Sequence, residues 1–360
     1  MDNSRSIVKK IIIGSLLGAA VFIVIAFLAD YEKVTAALMD FPLGQWPFIL
    51  FLSLANYALR VVKWDFYLKR LDIKIPLLSS VLIFFSGFIM AITPGKMGEV
   101  LKSLLMYEHH GVAVTRSAPA VFMERLTDVV ALLFICAAGV VFALSGGAGP
   151  AAGGGIGIGI GEVTGAGAAG QQNFDGAQLL SLAAVTVLTF ILITILSNQK
   201  LMNTILKYME RFNFIKKHIV HIESLFEAAR VILMPWPLFY ATLLSIFAWA
   251  LECYSLYYII TVISPDTPIS LALLLLCSFA YAFSTIIGAL AMLPGGLFVT
   301  EGGMAFLLVK LVKIPMSKAV AATFMVRAAT LWFALLIGIF ALPVFKAYTR
   351  AFNKQKKLTL

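Results

Sequence analysis

Charge is what this sequence has least of. Asp, Glu, Lys and Arg make up 13% of its 360 residues, against 61% hydrophobic, where an ordinary soluble domain is about 25% charged and about 45–50% apolar. So few charges cannot cover the outside of a water-soluble globule of this length, which excludes a soluble enzyme or binding domain and leaves a polytopic membrane protein. Cysteine is scarce too. Cys136, Cys253 and Cys277 are the three present, each inside an apolar run and without metal-ligand spacing, so neither a disulfide framework nor a zinc site is indicated. The four histidines form no metal-binding cluster, with His218 and His221 expected at a surface. There is no Walker loop, so nucleotide-driven chemistry is not expected. An external acidic pair, as a polyprenyl-sugar transferase needs, is also missing, because Asp266 stands alone in its loop. No enzymatic activity, cofactor or metal is therefore expected.

What the chain does have is long apolar runs. A hydrocarbon core of about 30 Å takes about 20 residues of helix, and eight runs reach or approach that: Ile11 to Ala29, Gln45 to Val62, Leu77 to Thr93, Ala118 to Leu144, Leu179 to Ser197, Pro237 to Ile263, Leu271 to Leu293 and Ala319 to Phe345. The first follows a basic start (Arg5, Lys9, Lys10) and has no small-x-small cleavage site before Asp30, so it reads as an uncleaved span. Two shorter apolar stretches, Met97 to Met106 and Leu297 to Val309, each follow a break, at Thr93-Pro94-Gly95 and at Leu293-Pro294-Gly295-Gly296.

These breaks permit eight crossings, or six crossings and two re-entrant hairpins. The net charge of +10 discriminates between them once it is sorted by segment. With six spans and the N-terminus inside, 22 Lys and Arg fall in cytoplasmic segments and 4 in external ones, while Arg125 and Arg327 lie within spans. Eight spans would put the basic stretch Asn198 to Pro235 outside, against the positive-inside rule. Six helices plus two hairpins, with both termini cytoplasmic, are expected. The basic balance is thus a matter of topology, and no nucleic acid is implied. The external loop Ser145 to Gln178, rich in Gly and Ala and without Lys or Arg, reads as a flexible linker, whose alternating Ile156, Ile158 and Ile160 could lie against the membrane. The segment from Asn198 to Pro235 has helical periodicity and mixed charge. It reads as a cytoplasmic amphipathic helix, either a solvated connector or one lying near anionic headgroups.

An internal repeat appears at an offset of 202 residues. Glu99 maps to Glu301, Thr115-Arg116 to Ser317-Lys318, and Phe122-Met123-Glu124-Arg125 to Phe324-Met325-Val326-Arg327. Each half, about 77–145 and about 271–346, runs through an apolar stretch, a Pro-Gly break, a short helix starting with Glu, a loop, and a span with Arg in its first third. Three crossings separate the two hairpins, so the copies face opposite ways, the inverted arrangement of many transporters.

A helix that starts at mid-membrane leaves its first N–H groups unpaired and positive. Two such tips meeting near the midplane form an anion site, to which Lys96 and Lys102 add cationic character. A charge buried in a span costs about 2.5–3.5 kcal/mol on insertion scales and is normally paired. Glu99 with Arg125 and Glu301 with Arg327, each 26 residues apart, are the expected pairs. They either lock hairpin to span or also meet a lipid phosphate, with Arg125 and Lys96 the expected phosphate pair. Glu124, Asp128 and Glu252 are further buried charges, Glu252 being a proton-linked carboxylate or an interhelical hydrogen-bond acceptor. Arg60 and Lys63, with Trp64, at the inner end of the second span, read as snorkelling and aromatic-belt anchors.

The stretches ITPGKMGEVLKSLLM, ERLTDVVALL and LPGGLFVTEGGMAFLL resemble the lysylphosphatidylglycerol synthase transmembrane, or flippase-like, family of prokaryotic membrane proteins. The resemblance runs from about Ile11 to Phe345. It implies a protein of the cytoplasmic membrane that moves aminoacylated phospholipids between leaflets, or that accompanies the metabolism of polyprenyl-linked sugars, hopanoids or other lipids. It further implies that Thr93, Pro94, Gly95, Gly98, Glu99, Pro294, Gly295, Gly296 and Glu301, with Glu124, Arg125, Asp128 and Arg327, line the lipid path. The soluble aminoacyl-transferase domain fused to some members is not among these residues, so a stand-alone member is expected. The leading expectation is a translocase for a phosphate-bearing lipid; the alternative is a non-transporting scaffold for a lipid-synthesising enzyme.

Overall fold

The computed structural model describes residues 20, 23–27, 29–93, 100–144, 176–198, 200, 204, 227 and 229–358. The first expected span therefore falls largely outside the described residues, as do Pro94, Gly95, Lys96, Gly98 and Glu99, the loop 145–175 and most of 198–235.

Every element is helical, and no strand occurs among the described residues. α1 (Tyr31–Met39) meets α2 (Trp46–Arg70) at a bend of 67°. α3 (Leu77–Gly87) runs into a 3-10 turn, Phe88–Met90, before the first break. α4 (Leu101–His110) follows the break and stops at Gly111, whose φ of 66° supplies the left-handed C-cap that a side chain would disfavour. α5 (Val114–Leu144) and α6 (Gly176–Ser197) are long and apolar. α7 (Pro235–Ile263) begins on a proline that costs no helical hydrogen bond there. α8 (Leu271–Leu290) starts from Ser270, whose hydroxyl accepts from the Leu273 amide at 3.1 Å. The second break leads into α9 (Val299–Leu307), a π-helical turn Leu308–Val312, and Lys313 at φ 63°. α10 (Met316–Arg327), a second π turn at Ala328–Trp332, and α11 (Phe333–Leu358) complete the described chain.

Five of the described helices are long and apolar enough to cross a membrane, and α1 with α2 makes six if that bent pair is one span. The expected span Ile11 to Ala29 lies largely outside the described residues, and the stretch from Leu271, expected as the first arm of a re-entrant hairpin, is itself long enough to cross. α8 is 20 residues long and qualifies, whereas its counterpart Leu77–Met90 is too short. The two stretches before the breaks therefore differ in reach.

The order helix, break, short helix ended by a left-handed residue, then long helix occurs twice. Packing between these sets is crosswise: α3 lies against α11, and α8 against α5. The chain ahead of the first break also touches the second break. Ile89, Ala91 and Ile92 form a small apolar cluster with Leu297, Leu331 and Leu335, and a Cβ placed on Gly295 would sit 3.6 Å from the Ile92 Cα.

Gly338 of α11 marks the tightest of these approaches. A Cβ there would lie 2.5 Å from the Ile89 amide nitrogen and 2.9 Å from the Phe88 carbonyl carbon, and backbone cannot swing aside as a side chain can. Gly338→Ala is expected to cost about 1–3 kcal/mol through this overpacking, measured as a lowered midpoint in thermal unfolding of the detergent-solubilised protein. An unchanged midpoint would mean that α3 and α11 are free to separate.

Candidate functional site

A cavity of about 240 Å³ opens between α2, α5, α7, α8 and the second break. Three arginines from three different helices reach its wall: Arg60 from α2, Arg125 from α5 and Arg327 from α10. Asp128 and Glu252 line it as well, with Tyr57, Trp249 and Tyr281. All of these charges lie inside helices of membrane-crossing length, where each must be paired to be tolerated.

Asp128 is the hub of the pairing. Its Oδ2 accepts from Arg60 Nη1 at 2.8 Å and its Oδ1 from Lys63 Nζ at 2.6 Å. The Ser245 hydroxyl lies 2.7 Å from the same ammonium and 3.2 Å from Oδ1. Arg125 Nη2 stands 3.4 Å from Asp128 and 2.7 Å from Glu124 Oε1, and Glu124 Oε2 accepts from Lys102 Nζ at 2.9 Å. One connected group thus holds four cations and two carboxylates among the described residues.

Arg60 is fixed at its other end too. Its Nε donates to Asn56 Oδ1 at 3.0 Å, Asn56 in turn donates to the Ala248 carbonyl at 2.6 Å, and the guanidinium stacks 4.7 Å above the Trp249 ring, a favourable face for a cation. Arg60 and Lys63 are therefore buried and paired rather than snorkelling to an interface, which corrects the sequence expectation. A signal for this was present. Asn56, Arg60, Lys63 and Tyr67 recur at i, i+4, i+7 and i+11, which puts them on one helical face, and all four are buried.

The second half is simpler. Arg327 Nε donates to Glu301 Oε1 at 2.6 Å, and its Nη2 donates to the Gly295 carbonyl at 2.8 Å. This is the pair expected from the 26-residue spacing. It ties α10 to the first turn of α9 and to the Pro294-Gly295-Gly296 break. Gly295 and Gly296 adopt φ of 63° and 69°, and both line the cavity, as does Thr300.

The first half departs from that pattern because Glu124 stands where the second has Val326. Arg125 meets this neighbouring carboxylate and Asp128, while Glu99, its expected partner, lies outside the described residues. Lys102, expected as a headgroup cation, is fully buried. Its ammonium sits on Glu124 and 4.4 Å from the Phe84 ring centre and 5.0 Å from that of Trp64, and it does not line the cavity. Glu252 accepts from the Tyr281 hydroxyl of α8 at 2.5 Å, the interhelical hydrogen bond that was one of its two expected roles. Thr93 bonds back to the Met90 carbonyl at 2.6 Å, closing the turn before the first break.

Among the described residues no group of three or more His, Cys, Asp or Glu could hold a metal ion, and the three cysteines are free and buried. What the cavity offers is three guanidinium groups, two carboxylates already engaged by Arg60, Lys63 and Tyr281, and aromatic faces within an apolar bundle. That combination suits an anion with an apolar appendage.

The family model described as the lysylphosphatidylglycerol synthase TM region matches residues 11–338. No curated protein matches the chain.

Proposed function

We propose, from the premise that the chain belongs to the lysylphosphatidylglycerol synthase transmembrane-region family, that it is a translocase moving a phosphate-bearing lipid between the leaflets of a membrane. The carrying observation is the convergence of Arg60, Arg125 and Arg327 on one cavity. A lipid phosphate crossing hydrocarbon needs its charge met along the way, and arginine forks meet it bidentately.

Of the three side chains Arg125 is the most accessible, 26% exposed against 7% for Arg60 and 10% for Arg327. Arg125 is therefore assigned to receive the headgroup. Arg60 and Arg327, held by Asp128 and Glu301, form the walls against which it seats. The protein in this reading performs no covalent chemistry.

The two Pro-Gly breaks form the moving parts, as tips of re-entrant hairpins in halves 77–145 and 271–346 of an inverted repeat. The crosswise packing of α3 on α11 and α8 on α5 supports this, as does the contact of Ile92 with the second break. Even with Arg60, Lys63 and Lys102 turned inward, leaving 19 of the 22, the Lys and Arg bias still favours cytoplasmic termini.

The test is reconstitution in liposomes with fluorescent lipids in one leaflet. Phosphate-bearing lipids should exchange leaflets faster than in protein-free vesicles, and a lipid lacking the phosphate should not. An unchanged distribution across several headgroups would overturn the proposal; co-purification of a lipid-synthesising enzyme with such inactive protein would instead support a scaffold.

A further inference from the structure

Among the described residues five hydroxyl-bearing side chains line the charged cavity: Tyr57, Tyr281, Thr285, Thr300 and Thr330. Four of these hydroxyls are taken up within the protein. Tyr57 donates to the Thr330 carbonyl at 2.6 Å and Tyr281 to Glu252 at 2.5 Å, while Thr285 and Thr330 each donate to the carbonyl four residues back, both at 2.8 Å. Thr300 is the exception. Its amide donates to the Gly296 carbonyl at 3.0 Å, but its hydroxyl makes no hydrogen bond to any described residue.

Two glycines make the seat of that hydroxyl. A Cβ on Gly288 of α8 would overlap Thr300 Oγ1, and one on Gly296 at the second break would lie 2.6 Å from it. Both positions must therefore lack a side chain for the oxygen to sit where it does. α8 and the break close around it from two sides, so the residue is only 3% exposed, yet it keeps its place on the cavity wall. The seat is also held still. Glu301, the next residue, accepts from Arg327, and the same guanidinium donates to the Gly295 carbonyl, which ties the chain down on both sides of Thr300.

Protein interiors rarely leave a polar hydrogen without an acceptor, because a group that loses its water and gains no partner is costly to bury. The carboxylates of the cavity do not fill the role, since Asp128 and Glu252 are engaged by Arg60, Lys63 and Tyr281. The acceptor for Thr300 has to come from outside the chain. An anion with several oxygens, already drawn in by the guanidinium groups, has lone pairs left over for it.

We infer that the Thr300 hydroxyl donates a hydrogen bond to a phosphate oxygen of the headgroup in the cavity. The inference rests on the translocase reading for its ligand, but not on movement for its test. Arg125 reaches the cavity from the half 77–145 and Thr300 from the half 271–346, so a single phosphate held by both joins the two halves. The guanidinium supplies charge and reach; the hydroxyl, on its fixed seat, supplies position without an ordering cost of its own.

The probe is dihexyl phosphate, a phosphodiester with one fixed charge and apolar tails, and its affinity for the detergent-solubilised full chain is measured by calorimetry. Thr300→Val keeps the branched shape and removes the donor. It should weaken binding at least about tenfold, the ratio for one hydrogen bond to a charged group. Thr300→Ser keeps the donor and should recover most of that loss. Because the hydroxyl has no partner in the described chain, neither variant should lower the thermal unfolding midpoint. Equal binding by wild type and Thr300→Val would overturn the inference, and so would a loss that Thr300→Ser does not recover, the mark of a packing role alone. No binding of the probe by wild type would overturn it as well. Leaflet exchange in liposomes separates the two readings. Exchange that is fast and indifferent to Thr300→Val removes Thr300 and leaves the translocase, whereas Thr300-dependent probe binding in a protein that moves no lipid removes the translocase and leaves the hydroxyl contact.

Discussion

Replacing Asp128 with alanine is expected to lower the stability of the folded protein by about 3–5 kcal/mol, the cost of breaking a buried ion pair from one side. Asp128 is the acceptor for both Arg60 and Lys63, at 2.8 and 2.6 Å, and all three side chains are at most 7% exposed. Without that carboxylate the four cations of the group keep one anion, Glu124, which stands 3.9 Å from Arg60 and is already paired with Lys102 and Arg125. Asp128→Asn should recover part of the hydrogen bonding and little of the charge compensation. Removing a cation together with the anion, as in Asp128→Ala with Lys63→Met, should cost less than the single change, because one fewer uncompensated charge remains. Unfolding in detergent followed by tryptophan fluorescence gives the measurement. A single variant within about 0.5 kcal/mol of wild type, the range of ordinary surface changes, would mean that water reaches Arg60 and Lys63 and that the network is not a buried one.

Arg125→Ala should separate function from stability. Both carboxylates it touches have other cations: Glu124 has Lys102 and Asp128 has Arg60 and Lys63. Its loss therefore orphans neither, and at 26% exposure its own pairing is partly screened, so the stability change should stay within about 1 kcal/mol. Lipid exchange should fall much further. A hydrogen bond to a charged group is worth about 1.5–3 kcal/mol, so losing even one to a phosphate in the cavity predicts a drop of at least about tenfold. Arg125→Lys should fall between, because an ammonium keeps the charge and loses the bidentate fork. The measurement is the leaflet-exchange rate in liposomes at matched protein density. An unchanged rate with Arg125→Ala would remove Arg125 from the headgroup's path.

How much of this was legible in the sequence depends on what kind of position each residue occupies. Glu301 and Arg327 were paired correctly from spacing alone. A carboxylate opening a short helix and an arginine early in the next span face each other whenever the two helices pack as a hairpin and its neighbour, and Val326 offers no competing anion. The same rule applied to Arg125 missed its contacts with Glu124 and Asp128, because the first half carries carboxylates on the span itself. Lys102 was expected as a cation for the headgroup beside the first break, yet its ammonium turns to Glu124 between Trp64 and Phe84. Nothing in its local sequence states which of its sides faces those rings.

Arg60 and Lys63 mark the limit most clearly. Their place at the inner end of the apolar run Gln45 to Val62 suits snorkelling, but depth along a helix does not fix direction around it. The four-residue polar stripe from Asn56 to Tyr67 carries that direction, and it becomes an inward face only when α7 and α5 pack against it and supply Ser245, Trp249 and Asp128.

The sequence by itself determined that this is a helical membrane protein, which family it resembles, where its breaks fall, and that Arg125 and Arg327 lie where hydrocarbon would otherwise be. Composition and run length are enough for that, since transfer into a bilayer depends on how apolar a segment is and not on its neighbours. The tertiary structure alone decided that those two arginines and Arg60 share one cavity and that Asp128 holds Arg60 and Lys63. These are matters of helix rotation and of contacts between residues as far as 273 positions apart, such as the Tyr57 hydroxyl and the Thr330 carbonyl, and pairings of that range exist only once the helices have packed.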